Sequence, residues 1–363
     1  MKFDIFHCLS RLRPLFVYSS LFVLTISTQS VEAHGFEGDR FFPPTITLDD
    51  PFAADDLAVT VSSFNNPANF SGGNTLSKTR QINLTTEFDK EIFPKFAIGI
   101  AKSYQNFQPD SNDSNSPSQG GTGQFAFDGF SNLQLSLKYQ AYENSEHEAI
   151  LSLGTYIDCG GTGHSKVFQN SNGGWTNANS SFAPTNAFTT FSPTVWWGKG
   201  FGDLPDSVRY FRPIAITGVV SQVLLSESSD GFGDSFSNSL NWGFSLEYSL
   251  IYLEQNVEDV GIPAPFRNMI PCVEFALNTP ENSQQSLPQV TGGASAGTSR
   301  TTSTINPGIM WEGKYCQVGA EALIPMNSQT GPDVGGVFQV HIYIDDIFPS
   351  LFGHPLFFGK QIK

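Results

Sequence analysis

Across residues 241–253, NWGFSLEYSLIYL, the side chains Trp242, Phe244, Leu246, Tyr248, Leu250 and Tyr252 alternate with Gly243, Ser245, Glu247 and Ser249, Ile251 being the exception. A period of two predicts a β-strand with two unlike faces. The same alternation recurs along the chain. Ile82, Leu84, Thr86 and Phe88 interleave with Gln81, Asn83, Thr85, Glu87 and Asp89; Leu133, Leu135, Leu137 and Tyr139 with Gln134, Ser136, Lys138 and Gln140. Near the end, Val318, Ala320 and Ala322 interleave with Gln317, Gly319 and Glu321, and Phe338, Val340 and Ile342 with Gln339, His341 and Tyr343. Helical periodicity is almost absent. The pattern predicts about twelve strands, over 56–64, 79–90, 95–107, 130–142, 147–158, 188–199, 210–225, 238–253, 269–278, 301–312, 315–326 and 336–346. The weakest are 188–199 and 301–312, which contain Pro193 and Pro307, residues a central ladder tolerates poorly.

Two things choose between the faces. Many runs reach ten residues or more, longer than the ~5–6 of a globular strand and suited to the 9–11 or so of a tilted membrane-spanning one. The connections also alternate. Polar stretches such as 65–78, 110–124, 159–187, 226–239 and 279–303 alternate with brief ones such as EIFP, NSE and GK, as in outer-membrane barrels with short periplasmic turns and long outer loops. The segment 254–268 is the exception, long for a periplasmic turn. An even strand count puts both termini on the periplasmic side. The expected fold is therefore all-β, a transmembrane up-and-down antiparallel β-barrel of about twelve strands, with apolar faces toward lipid and polar faces toward a lumen. A soluble sandwich of alternating strands is the competing reading.

The N-terminus extends this picture. Lys2, Arg11 and Arg13 precede the apolar run Leu15–Ile26, and VEA ends at Ala33. That arrangement is expected of a secretory signal peptide over 1–33, since the run is short for a helical span. Residues 34–55 are expected to form a periplasmic arm or a plug entering the barrel mouth, 56–348 the barrel, and 349–363 a C-terminal tail. The chain carries 19 Lys and Arg against 34 Asp and Glu, a net charge of −15. Without a basic stripe, nucleic acid is not expected as a partner. Beyond the signal stand Cys159, Cys272 and Cys316, an odd and widely spaced set that forms no disulfide framework.

The segments HGFEGDRFFPPTITLDDPFAADDL, GKGFGDLPDSVRYFRPIAITG and FQVHIYIDDIFPSLFGHPLF together resemble a family of bacterial outer-membrane, transporter-like barrels, similar in style to the proteins named for a phenol-degradation pathway. The resemblance implies a β-barrel that passes small molecules, hydrophobic ones included, and it carries over no catalytic residue. Many such barrels end on an aromatic residue; this chain ends in Lys363, so either the insertion signal is internal, near Phe348, or the tail packs back on the barrel.

Candidate chemistry is sparse. His34 at a freed N-terminus could chelate copper only with a second, well-placed His, and no supporting motif exists. A serine hydrolase of membrane lipid needs Ser and His on the lipid face, whereas alternation puts His341 on the lumen face; no G-x-S-x-G elbow occurs. The runs GGTGQ, CGGTG and GGASAG lack the Lys-Ser/Thr continuation of a phosphate loop, and DSNDS lacks the spacing of a calcium loop. No cofactor, metal or catalytic residue is therefore expected, and the chain is expected not to be an enzyme. The functional residues are expected in the lumen: Glu87, Asp89, Lys138, Gln140, Glu247, Gln317, Glu321, Gln339 and His341. Charged lumen residues set selectivity through their field, and the excess of acids favours cations or neutral solutes. A narrow barrel can instead fill its interior with such groups and conduct nothing. The expected partners are outer-membrane lipid and a small solute. The alternative is a structural or surface-recognition barrel, with a phospholipid hydrolase behind it.

Overall fold

The computed structural model describes residues 40–66, 70–71, 74–75, 79–109, 127–163, 165–169, 175–182, 189–228, 236–282 and 300–357. The expected signal segment, His34, the DSNDS, GGTGQ and GGASAG runs and Lys363 lie outside them. Twelve long antiparallel strands form the barrel: β1 (Asp56–Asn66), β2 (Thr79–Phe93), β3 (Phe96–Pro109), β4 (Leu133–Asn144), β5 (Ala149–Cys159), β6 (Thr190–Gly200), β7 (Ile214–Leu225), β8 (Ser239–Tyr248), β9 (Met269–Pro280), β10 (Thr302–Glu312), β11 (Cys316–Pro325) and β12 (Gly335–Tyr343). Each pairs with its neighbour in sequence, and β1 pairs with β12, Ala58 opposite His341, to close the sheet. This is the expected twelve-stranded up-and-down architecture. Closure leaves the barrel wall no exposed edge.

The two faces of the wall are inverted relative to a soluble protein. Gln105 and Glu274 are 0% exposed, whereas Leu84 is 45% and Phe338 47% exposed. In β2, Gln81, Asn83 and Thr85 point in and are buried while Leu84 and Thr86 point out. In β8, Gly243, Ser245 and Glu247 are buried while Trp242, Phe244 and Leu246 are exposed. Sequence alternation thus becomes a polar interior and an apolar outer wall. Exposed aromatics gather near both ends of that wall. Tyr104, Phe130, Phe191 and Trp242 stand toward the long-loop end, and Phe93, Tyr142, Tyr315 and Phe348 toward the short-turn end.

Both prolines are accommodated where one ladder lapses. Pro193 pairs with Thr155 of β5, but the β6–β7 register skips Ser192 and Pro193. Pro307 faces Val273 of β9, while the β10–β11 register skips Asn306 and Pro307. A residue without an N–H is thereby placed where no donor is called for.

Two expected strands stop early. The run 238–253 ends as a strand at Tyr248, because the Ser249 hydroxyl accepts the Tyr252 N–H at 3.1 Å and starts a helical turn, Leu250–Tyr252. Ser is a favoured helix N-cap. Tyr252 therefore leaves the outward face that its alternation assigned to it. The turn opens the 249–268 connection, whose Glu258 binds Arg209 at 2.7 Å across to the 201–213 connection. The run 336–346 likewise ends at Tyr343, followed by the helical turn Ile344–Ile347 with Asp345 and Asp346 in its first turn. Beyond it the chain returns to the barrel: the Gly353 N–H donates to Asp55, Phe352 packs edge-on against Phe88, and Leu356 and Phe357 donate to the carbonyls of Glu91 and Ile92.

Candidate functional site

Residues 40–55 lie against the inward faces of the strands. Arg40 and Phe42 are buried at 3% and 1% exposure, and the segment makes hydrogen bonds to side chains from seven strands, β1, β2, β4, β5, β9, β11 and β12. The Glu274 carboxylate (β9) accepts three consecutive backbone N–H groups, from Ile46 at 2.8 Å, Thr47 at 3.0 Å and Leu48 at 2.8 Å. Glu321 (β11) accepts the Thr47 hydroxyl at 2.6 Å. Gln317 (β11) donates to the Pro44 carbonyl at 2.8 Å and Gln339 (β12) to the Ile46 carbonyl at 3.2 Å. On the opposite side Gln140 (β4) accepts the Ala53 N–H at 2.7 Å, and Ser152 (β5) donates to the Pro51 carbonyl at 2.5 Å. Lys138 (β4) binds Asp49 at 2.9 Å and the Asp50 carbonyl at 2.7 Å, and Tyr156 (β5) donates to Asp49.

A segment without regular structure buries many polar backbone groups, and each must find a partner. Here the inward side chains supply them. Apolar anchors complete the seat: Phe41, Phe42 and Phe52 pack with Ile150 and Ala215, and Ile46 with Ile270, Cys272, Met310 and Leu323. Arg40 closes the lower end, 2.5 Å from Asp56 and 5.1 Å above the Tyr343 ring. Burial opposes its charge, but Asp56 and Asp50 outweigh that and hold its pKa above the usual guanidinium range.

Beyond the segment, toward the long-loop end, the interior opens into a cavity of about 220 Å³. Its floor is Thr45–Asp50 and Phe52, and its wall includes Glu87, Asp89, Lys138, Tyr156, Gln339 and His341, rising to Asp158, Thr190 and Asn241 at the strand ends. Charge in it is lopsided. Asp49, Asp50, Asp56, Glu87, Asp89 and Asp158 face Lys138 and His341. His341 Nε2 stands 3.1 Å from Asp56 Oδ2, without hydrogen-bond geometry.

The nine residues expected in the lumen all fall on inward-phase positions and are buried or half-buried. Eight of them serve the cavity or the seat of the segment, Lys138 and Gln339 both. Glu87, Asp89, Lys138, Gln339 and His341 border the cavity. Gln140, Gln317 and Glu321 join Lys138 and Gln339 in holding the segment. Glu247 stands apart at 1% exposure, 3.5 Å from the Thr217 hydroxyl, beside a second, small recess under Phe41 and Phe42. Sequence reasoning missed Glu274 and Tyr156, the grip on residues 46–49. The signal was there: Cys272, Glu274, Ala276 and Asn278 alternate with Val273, Phe275 and Leu277 as in every other strand. It also missed that the acidic residues Asp49, Asp50 and Asp56 reach the cavity. That depends on how an irregular segment folds back, which no periodicity encodes. Among the described residues no group of three or more His, Cys, Asp or Glu is arranged to hold a metal ion, and Cys159, Cys272 and Cys316 are unpaired.

No family model matches the chain, and no curated protein matches it. Among solved structures it is similar to an outer-membrane channel from Pseudomonas putida F1, at 12% identity and a TM-score of 0.49, over 83% of this chain and 99% of that one. It is similar also to the NanC porin, at 8% identity and a TM-score of 0.39, over 79% and 98% of the two chains. Outer membrane phospholipase A from Escherichia coli matches at 9% identity and a TM-score of 0.33, over 80% and 93%.

Proposed function

We propose that the chain is a bacterial outer-membrane channel for passive or facilitated passage of a small molecule, exported by residues 1–33 and working without covalent chemistry. The observation that carries this reading is the inverted wall: a closed barrel that exposes Leu84, Leu153 and Phe338 while burying Gln105, Glu247 and Glu274 is built for hydrocarbon outside and polar groups within. Strands of 9–15 residues match a tilted crossing of the ~25 Å apolar band of such barrels. In this reading the short turns and both termini face the periplasm, the solute path runs through the cavity, and residues 40–55 are a plug below it. The resemblance to phenol-degradation-pathway barrels adds small hydrophobic molecules as a solute class. Hydrolysis of membrane lipid needs a Ser–His pair on the outer wall; His341 is inside, at 6% exposure.

The hydrogen bonds that seat residues 40–55 favour one second reading, a non-conducting structural or recognition barrel. Planar-bilayer recordings on the purified chain, with and without residues 40–50, separate the two. A channel gives conductance that rises when the segment is removed. Silence from both proteins, each migrating as a folded barrel in unboiled gels, removes the channel reading and leaves the second.

A further inference from the structure

The strand register sets out the cavity wall around one small residue. Ala58 of β1 stands between Glu87 of β2 and His341 of β12; one rung above, Thr60 stands between Thr85 and Gln339; one rung below, Asp56 stands between Asp89 and Tyr343. All lie on the inward phase. Ala58 is thus a notch with long polar side chains on both flanks. Strands ~4.8 Å apart and a rung of ~7 Å put the Cα atoms of Glu87 and Gln339 about 12 Å apart on the diagonal.

The partners of the acids lining this cavity are unevenly shared. Asp56 has Arg40 and His341; Asp49 has Lys138 and Tyr156; Asp50 accepts the Phe52 N–H at 2.7 Å; Asp158 accepts from Asn132 at 2.5 Å. Lys138, the one Lys on the wall, is committed to Asp49 and the Asp50 carbonyl. Asp89 has only the Ser136 hydroxyl at 3.2 Å, room for which is kept by Gly99, where a Cβ would fall 2.1 Å from both oxygens. Among the described residues Glu87 has no hydrogen-bond donor and no ion-pair partner within 4.0 Å, and Lys138 acts on it only from farther off. Across the notch a second group points the same way. Gln339 is 8% exposed and its amide donates to Ile46 and Thr60, but its carbonyl oxygen Oε1 is buried without a donor. Glu87, without a donor, and Gln339, whose Oε1 is unmet, border the same recess. Buried acceptors of this kind cost free energy until a donor arrives, and a charged donor satisfies both.

We propose that the Ala58 notch is a binding site for a small organic cation, a primary ammonium whose charge sits against Glu87 and Asp89 while one of its N–H groups donates to Gln339 Oε1. A cavity of about 220 Å³ admits an alkyl body of a few carbons beside the head group. Among the described lining residues, the side chains above it toward the long-loop end, Thr60, Ser62, Thr85 and Asn241, are uncharged. The inference rests on the channel reading for the solute's direction of travel, but the site itself does not depend on conduction.

The test is calorimetric titration of the detergent-solubilised full chain at neutral pH with n-butylammonium, with butyrate and 1-butanol as isosteric controls. Saturable binding is expected for the ammonium alone. Glu87→Gln, which keeps the shape and removes the charge, weakens it about tenfold or more, Gln339→Leu weakens it severalfold, and Ala58→Leu fills the notch and abolishes it. Glu281→Gln, on the far side of the barrel, leaves it unchanged. If Ala58→Leu does not fold, the near-isosteric Glu87→Gln carries the test. No saturable ammonium binding up to about 10 mM, or equal affinity in Glu87→Gln, overturns the proposal. Bilayer conductance without ammonium binding sinks the site and leaves the channel; binding without conductance does the reverse.

Discussion

A single carboxylate organises the interior. Glu274 meets three successive backbone N–H groups, a charge-assisted arrangement in which each bond is stronger than its neutral counterpart. Glu274→Ala strands three buried donors at a cost of roughly 1–3 kcal/mol each, so the segment loosens while the twelve-strand ladder stays intact. Arg40 is now shielded at 3% exposure. Trypsin is therefore expected to cut after Arg40 about tenfold faster or more in Glu274→Ala, read by mass spectrometry, with the folded band in unboiled gels unchanged. An unchanged rate would mean that the carboxylate does not hold the segment. Asp345, just beyond β12, supplies a pH dependence. Burial raises its carboxyl to about 6, against the pull of Arg40 and with the push of Asp346. A carboxyl whose folded pKa exceeds its unfolded one favours the folded state most when both are protonated. Its contribution is complete below about pH 4 and is lost as pH rises through 6. Asp345→Asn is expected to flatten that part of the denaturation midpoint against pH; an unaltered slope assigns the pH response to other groups.

At the scale of elements, the strands were legible and their ends were not. All twelve followed from alternation because in a barrel each residue has only two environments, and a period of two records both. The ends failed where local hydrogen bonding took over. Ser249 turned an apolar run that still read as strand into a helical turn, and the one sign of it beyond the serine is Ile251, where the alternation breaks. The inward phase of the nine positions expected in the lumen was legible for the same reason as the strands. The division of that set between the cavity and the seat of residues 40–55 was not, because it is fixed by an aperiodic segment. The C-terminal tail is a second such element. It crosses from β12 over the β1 closure to β2, where Gly353 meets Asp55, Lys90 meets both Asp55 and the His354 carbonyl, and Phe357 packs at a tilt against Phe93. Truncation after Phe348 removes those contacts, worth a few kcal/mol together by hydrogen bonds of about 1 kcal/mol each plus apolar burial. The temperature at which the folded band gives way in SDS is expected to fall by several degrees. If it does not move, the tail is an ornament to the closure and not a part of it.

For the whole molecule, the inverted wall sets the solvent. The full chain is expected to partition with membranes, to need detergent for extraction, and to show a heat-modifiable band; free solubility without detergent would refute the lipid-facing assignment of Leu84, Leu153 and Phe338. The seat of residues 40–55 also orders events in time. These residues leave the ribosome before any strand; β4 and β5 supply part of their seat early, but Glu274, Gln317, Glu321 and Gln339 lie on three of the last four strands made. The earliest-synthesised part of the barrel unit thus cannot complete its seat until the sheet is nearly finished, and it must be on the inner side when β1 meets β12. Docking of the oldest residues becomes the final act of biogenesis, and a nascent barrel caught before it would hold an empty bore.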